Sequence, residues 1–143
     1  MTVKEILSHK GVDVVTTDPH ASIADAVKLL ATRRIGAVVV TGADQRIVGI
    51  LSERDIVRVL AEQGPSVLSA PIAQVMTRKV STCSECDTVS DVMEQMTAGK
   101  FRHVPVIDRE QLVGIISIGD VVKHRLGEME RESEALRDYI QTA

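Results

Sequence analysis

Two seven-residue stretches bring together side chains able to hold a ligand. Residues 49–55 read GILSERD and residues 114–120 read GIISIGD, each with a serine hydroxyl three residues before an aspartate. The simplest reading is local: Ser-x-x-Asp ahead of an apolar run is a helix-capping pattern. Ser22 with Asp25, and Thr88 with Asp91, have the same spacing at two other expected helix starts. Three features add a ligand-binding reading at residues 49–55 and 114–120, the second of them shared with Asp25 and Asp91. Gly49 and Gly114 stand in the apolar segment before each cap, where glycine weakens a strand and marks close approach of a ligand or another backbone. Aspartate is shorter than the usual Glu or Gln of a capping box, so its carboxylate is expected to stay available to a ligand. An open helix amino terminus also offers free N–H groups and the positive end of its dipole to an anion. A hydroxyl adds a hydrogen bond to phosphate, and a carboxylate accepts from a ribose diol. Both stretches are therefore candidate nucleotide contacts.

Other reactive residues are sparse. Cys83 and Cys86 form a C-x-x-C string, the spacing of a redox pair or half a metal site. With no second pair, they are expected to be small residues at a helix entrance. His9, His20, His103 and His124 are scattered. No nucleophile, base and acid share one segment, so no catalytic residue, metal site or enzyme activity is expected. Basic residues gather in one place: Lys100, Arg102 and His103 stand before an apolar strand. The matching places in the first half hold Arg34, Gly36 and Ala37, while Arg54 corresponds to Gly119. Beside a phosphate, such cations neutralise ligand charge, so their uneven distribution predicts two unequal sites. One is expected to prefer a ligand that carries more phosphate.

The whole composition narrows the partners. The chain has 143 residues, 44% hydrophobic and 26% charged, the balance of a soluble globular protein. Its net charge of −3 gives no field to gather nucleic acid, and Phe101 and Tyr139 are too few aromatics for base stacking. No apolar run approaches the roughly 20 residues of a membrane span, and MTVKEILSHK lacks a signal peptide's apolar core. The expectation is a cytoplasmic protein binding neither nucleic acid nor membrane.

The two motifs belong to a longer repeat. Val14, Thr16, Asp25, Val38 and Val40 recur as Val80, Thr82, Asp91, Val104 and Val106, and Val48–Asp55 recurs as Val113–Asp120 with one residue lost in a loop. Ile6, Leu7 and Ser8 correspond to Val75, Met76 and Thr77. Each half reads as an extended piece (13–16; 80–82), a helix capped by Ser22 or Thr88, and a strand (37–40; 103–107). A polar turn, a second strand and a helix opening at Ser52 or Ser117 complete it. This β-α-β-β-α order, with continuous apolar strands between amphipathic helices, predicts an α/β (α+β-like) fold with sheets covered by helices. Gln63-Gly64-Pro65 separates the halves. Residues 1–66 and 67–126 are the expected repeats, and residues 127–143 a C-terminal helical extension. In that helix Leu126, Met129, Leu136 and Ile140 form an a/d-like stripe with Ser133 at one step, expected to dock on the body or on a dimer partner.

This duplicated pattern resembles a tandem pair of CBS domains, the Bateman module, with FRHVPVID (101–108) and LVGIIS (112–117) adding to the match. The resemblance spans all but the terminal helix. It implies two repeats packed as a pseudo-twofold pair with two clefts that take AMP, ADP, ATP, NAD or S-adenosylmethionine. By resemblance, Asp55 and Asp120 hold ribose hydroxyls, Ser52 and Ser117 face phosphates, and Thr16 and Thr82 help line adenine pockets. Homodimers are common in the family. The implied role is a nucleotide sensor acting on a separate, unidentified partner; the alternative is an interaction module with vestigial clefts.

Overall fold

The structure, a computed structural model, describes residues 1–142. Its elements are α1 (Val3–Lys10), β1 (Thr16–Thr17), α2 (Ile23–Arg33), β2 (Ala37–Thr41), β3 (Ile47–Ser52) and α3 (Glu53–Gln63) in the first half. Two short 3-10 turns, Pro65–Ser69 and Ile72–Gln74, lead to α4 (Val89–Gly99), β4 (His103–Asp108), β5 (Gln111–Ser117) and α5 (Ile118–Thr142). The fold is mixed α/β, as expected. No helix among the described residues is long and apolar enough to cross a membrane.

The repeat pattern becomes two small sheets. β1 runs parallel to β2, and β2 antiparallel to β3, while β4 and β5 form an antiparallel pair. The extended piece expected at 80–82 is no strand. It contributes one parallel bridge, Cys83 to Val106, where the first half pairs Thr17 with Val40. Local chemistry explains the covering helices. Ser22 and Thr88 accept the N–H of Asp25 and Asp91, Ile23, Ala26 and Leu30 bury one face of α2, and Val89, Val92 and Met96 bury one face of α4. Both helices end in the left-handed region at a basic residue, Arg34 (φ 54°) and Lys100 (φ 57°). A cation there suits the negative end of the helix dipole.

The two cores do not follow the order of the chain. α1, which the sequence pattern left as a short match without an assigned element, places Val3, Ile6 and Leu7 in the core of the second half, against Val89, Val92, Val104 and Ile116. Reciprocally, Val67, Ile72, Val75 and Met76 enter the core of the first half, against Ile23, Val38 and Leu51. The exchange is symmetric down to single hydrogen bonds. Val89 donates its N–H to the Met1 carbonyl as Ile23 does to Ala70, and Val3 donates to Asp87 as Ile72 does to Ala21. Each half thus borrows an arm from the other.

The strand glycines exist for this exchange. A Cβ on Gly49 would lie 2.5 Å from Met76 Sδ and 3.0 Å from the Thr77 carbonyl oxygen; one on Gly114 would lie 2.7 Å from Leu7 Cδ2. The close approach inferred from sequence is therefore to the chain's own exchanged arms and not to a ligand. The expected C-terminal helix is present as a continuation of α5: the helix opening at Ser117 runs unbroken to Thr142, and Ala143 lies outside the described residues. Gly49→Ala is expected to lower unfolding stability by about 1–3 kcal/mol through overpacking against Met76 and Thr77, read from the urea midpoint. A change within about 0.5 kcal/mol would show that the arm moves aside freely.

Candidate functional site

α3 and α5 each start where the second strand of a hairpin ends. Ala37 pairs with Ser52 and His103 with Ser117, so both strand entrances and both serines lie at one end of their sheets. Glu53 donates its N–H to the Gly36 carbonyl at 2.9 Å, and Ile118 to the Arg102 carbonyl at 2.8 Å. A Cβ on Gly36 would sit 3.2 Å from the His103 ring, which is how closely the halves approach here.

Each motif closes a full capping box. The Ser52 N–H and hydroxyl both donate to Asp55 Oδ2 at 3.0 and 3.1 Å, and the Asp55 N–H donates to Ser52 Oγ at 3.2 Å. Ser117 and Asp120 repeat this at 2.9, 3.0 and 3.2 Å. At α2 and α4 only the serine or threonine arm is made. Aspartate is thus long enough to close the box, contrary to the expectation that its shortness frees the carboxylate. The N–H groups of Ser52, Glu53 and Asp55 are also taken inside the chain. Anion attraction here rests on side-chain cations more than on open backbone donors.

Those cations converge on Asp55. A cleft of about 530 Å³ is lined by Ser52, Glu53, Arg54 and Asp55 from the first half, and by Thr77, Lys79, Ser81, Lys100, Phe101, Arg102 and His103 from the linker and second half. The basic cluster of the second half therefore faces the serine and aspartate of the first. Arg54 ties the two sides by donating to the Lys100 carbonyl at 3.4 Å. Asp55 Oδ1 has one partner, Arg58 Nη2 at 3.3 Å, a pair open to water and so weak. Lys79 and Thr77 were not singled out from sequence. Their signal was present, since Lys79 follows Met76 and Thr77 as Lys10 follows Leu7 and Ser8.

The second motif is arranged differently. Lys10 reaches Asp120 Oδ2 at 2.5 Å and the Ile115 carbonyl at 2.9 Å, beside a smaller cleft of about 300 Å³ that also holds His9, Lys123, His124 and Arg131. Burial alone would raise the Asp120 carboxyl, but the Lys10 ammonium and the Ser117 donors outweigh it and hold the group below the usual carboxylate range. Arm conformation causes the inequality. α1 stays helical through Lys10 and ends at Gly11 (φ 99°), aiming Lys10 at Asp120. Its counterpart is only a 3-10 turn, after which Thr77 pairs with Ile50 along β3 through two backbone bonds of 2.9 Å.

Other residues singled out from sequence lie elsewhere. Thr16 pairs with Val39 in β1, the Thr82 carbonyl accepts Gln95 Nε2, and Arg34 caps α2; none of the three lines either cleft. Cys83 is buried in the second core, where loss of water and then the Asp87 charge push its thiol up to about 12, while Cys86 is exposed. A thiol held protonated in this way is a poor nucleophile and ligand, so Cys83 acts here as packing.

Comparison with known proteins agrees with this duplicated layout. The family pattern described as CBS domain matches residues 3–62 and again residues 72–127. The chain belongs to the CBS-domain family. It is 49% identical to the CBS-domain containing protein ATU1752 from Agrobacterium tumefaciens, with a TM-score of 0.85 over 87% of this chain and 99% of that one. It is 35% identical to the mitochondrial CBS domain-containing protein CBSX3 of Arabidopsis thaliana over 98% of this chain and 72% of that protein. The CBS domain protein PAE2072 from Pyrobaculum aerophilum, solved complexed with AMP, is 31% identical with a TM-score of 0.75, over 84% of this chain and 89% of that one.

His103 gives the CBS pair a titratable group between its two motifs. Burial first and the Lys10 ammonium next push its imidazole below the ordinary range, with Glu53 and Asp120 pulling the other way. The folded protein therefore resists protonating His103. Stability present above about pH 6.5 is lost as the pH falls below it, where the unfolded chain takes up the proton more readily. Between about pH 7.5 and about pH 5.5 the urea midpoint of wild type is expected to fall more than that of His103→Gln. Parallel declines would show that His103 is not the titrating group.

Proposed function

We propose that this CBS pair is a regulatory module that binds an adenosine-containing ligand, with the Asp55 cleft as its principal site. The observation that carries the reading is the convergence of the Ser52–Asp55 pair with Arg54, Lys79, Lys100 and Arg102 around about 530 Å³, a volume suited to a nucleotide. Asp55 Oδ1 accepts the ribose hydroxyls, exchanging its exposed Arg58 contact for them. The four cations take the phosphates, and the apolar wall that includes Ile50, Val80 and Phe101 takes the base. AMP bound to the related PAE2072 supports an adenosine ligand; AMP, ADP, ATP and NAD all fit this division of labour. The role is binding rather than catalysis.

Ser117 and Asp120 form a second, weaker site, because a ligand there must first displace Lys10 from the carboxylate. Output passes to a separate partner through α3 and α5, which begin at the ligand. A ligand that favours one arrangement of the halves shifts their population by its difference in affinity.

Thermal unfolding with AMP, ADP, ATP, NAD or S-adenosylmethionine at about millimolar concentration is expected to rise for at least one of them by mass action. No rise with any would favour an interaction module with vestigial clefts. For the ligand that binds, Asp55→Ala is expected to weaken the tight phase by about tenfold to a hundredfold in calorimetric titration, the loss of one or two charge-assisted hydrogen bonds. Asp120→Ala leaves that phase unchanged. Arg102→Ala is expected to weaken ATP and NAD more than AMP; equal losses would remove Arg102 from the outer phosphates.

A further inference from the structure

α5 outruns the body from which it grows. Val121 is fully buried, but Val122, Leu126, Met129, Leu136 and Ile140 are between 46% and 65% exposed. Their spacing alternates four and three residues, with Ser133 filling the one remaining step. That is a coiled-coil seam, d at 122, 129 and 136 and a at 126, 133 and 140, extending about 27 Å along the helix. A free peptide of this length would be marginally helical. Here the Ser117–Asp120 capping box and buried Val121 have already nucleated the helix.

The charges beside the seam say what covers it. In a parallel two-stranded coil, each g residue faces the partner's e residue five positions on. The g positions hold Arg125 and Glu132, and the e positions five further on hold Glu130 and Arg137. Both steps join opposite charges, and twofold symmetry makes each pair twice. Antiparallel overlap would instead set Glu130 against Glu130, Glu132 against Glu132 and Lys123 against Arg137. In the single chain Arg125 holds Glu128 at 2.8 Å, an exposed pair weak enough to be exchanged. We infer that the exposed stripe of α5 pairs in parallel with α5 of a second copy of this chain.

Ser133→Cys in a Cys86→Ser background tests the geometry directly, since a parallel pair brings the two a positions within disulfide reach while Cys83 stays buried. Mild oxidation is expected to give a covalent dimer on a non-reducing gel; its absence overturns the inference. In sedimentation runs of the full chain, Leu136→Asp is expected to be monomeric where wild type is dimeric. Glu132→Arg and Arg137→Glu are each expected to weaken the dimer about tenfold. Mixing those two variants should restore wild-type strength as a heterodimer, because both flanking pairs are then attractive again. Residues five apart do not face one another on one helix, so this rescue cannot arise within a chain. Failure of the mixture to recover, or a Leu136→Asp protein as dimeric as wild type, overturns the parallel pairing.

Discussion

The structure turns on a reciprocal exchange: each half of the chain gives its leading arm to the core of the other. Neither half could close alone. The first core would lose Ile72, Val75 and Met76, and the second would lose Val3, Ile6 and Leu7. These are large buried side chains, each contributing on the order of 2 kcal/mol by removal from water. The strands accept the arms only where Gly49 and Gly114 leave space for Met76 and Leu7. A glycine that weakens a strand is here the condition for joining two weak units into one stable pair.

The exchange also decides how the two motifs differ. Each arm ends in a lysine that lies beside the opposite half's aspartate, and the arm's backbone sets where that lysine goes. A helix ending at Gly11 delivers Lys10 onto Asp120, satisfying the carboxylate from within. An extended segment paired along β3 leaves Lys79 lining the open cleft beside Asp55. Two near-identical heptapeptides thereby acquire different electrostatic surroundings. His103, set between them, feels the charges of Lys10, Glu53 and Asp120.

Much of this was legible in the chain. Repetition of Val-Gly-Ile-x-Ser together with the capped helices predicted the element order, because apolar periodicity and caps are local properties. Asp55, Ser52 and the cluster Lys100, Arg102 and His103 were singled out as candidate site residues for the same reason: they sit at helix and strand ends. What sequence proximity left open was pairing across the halves. The basic cluster was placed before a strand with no motif assigned to it, and the fold sets it facing Ser52 and Asp55. The glycines were read as marking close approach of a ligand or another backbone, and the chain's own arms fill the space.

Repeat order, helix caps, the pairing of strands within each half and the heptad stripe of α5 were therefore determined by the sequence alone, since each depends on residues within a turn or a hairpin of one another. Which half an arm packs into, which aspartate meets a lysine, and which cations share a cleft with which serine were decided only by tertiary structure. Those outcomes depend on contacts between segments far apart in the chain. Lys10 and Asp120 are separated by 110 residues, and no local pattern encodes their meeting. Only the packing of Leu7 over Gly114 brings that arm, and its lysine, to the second motif.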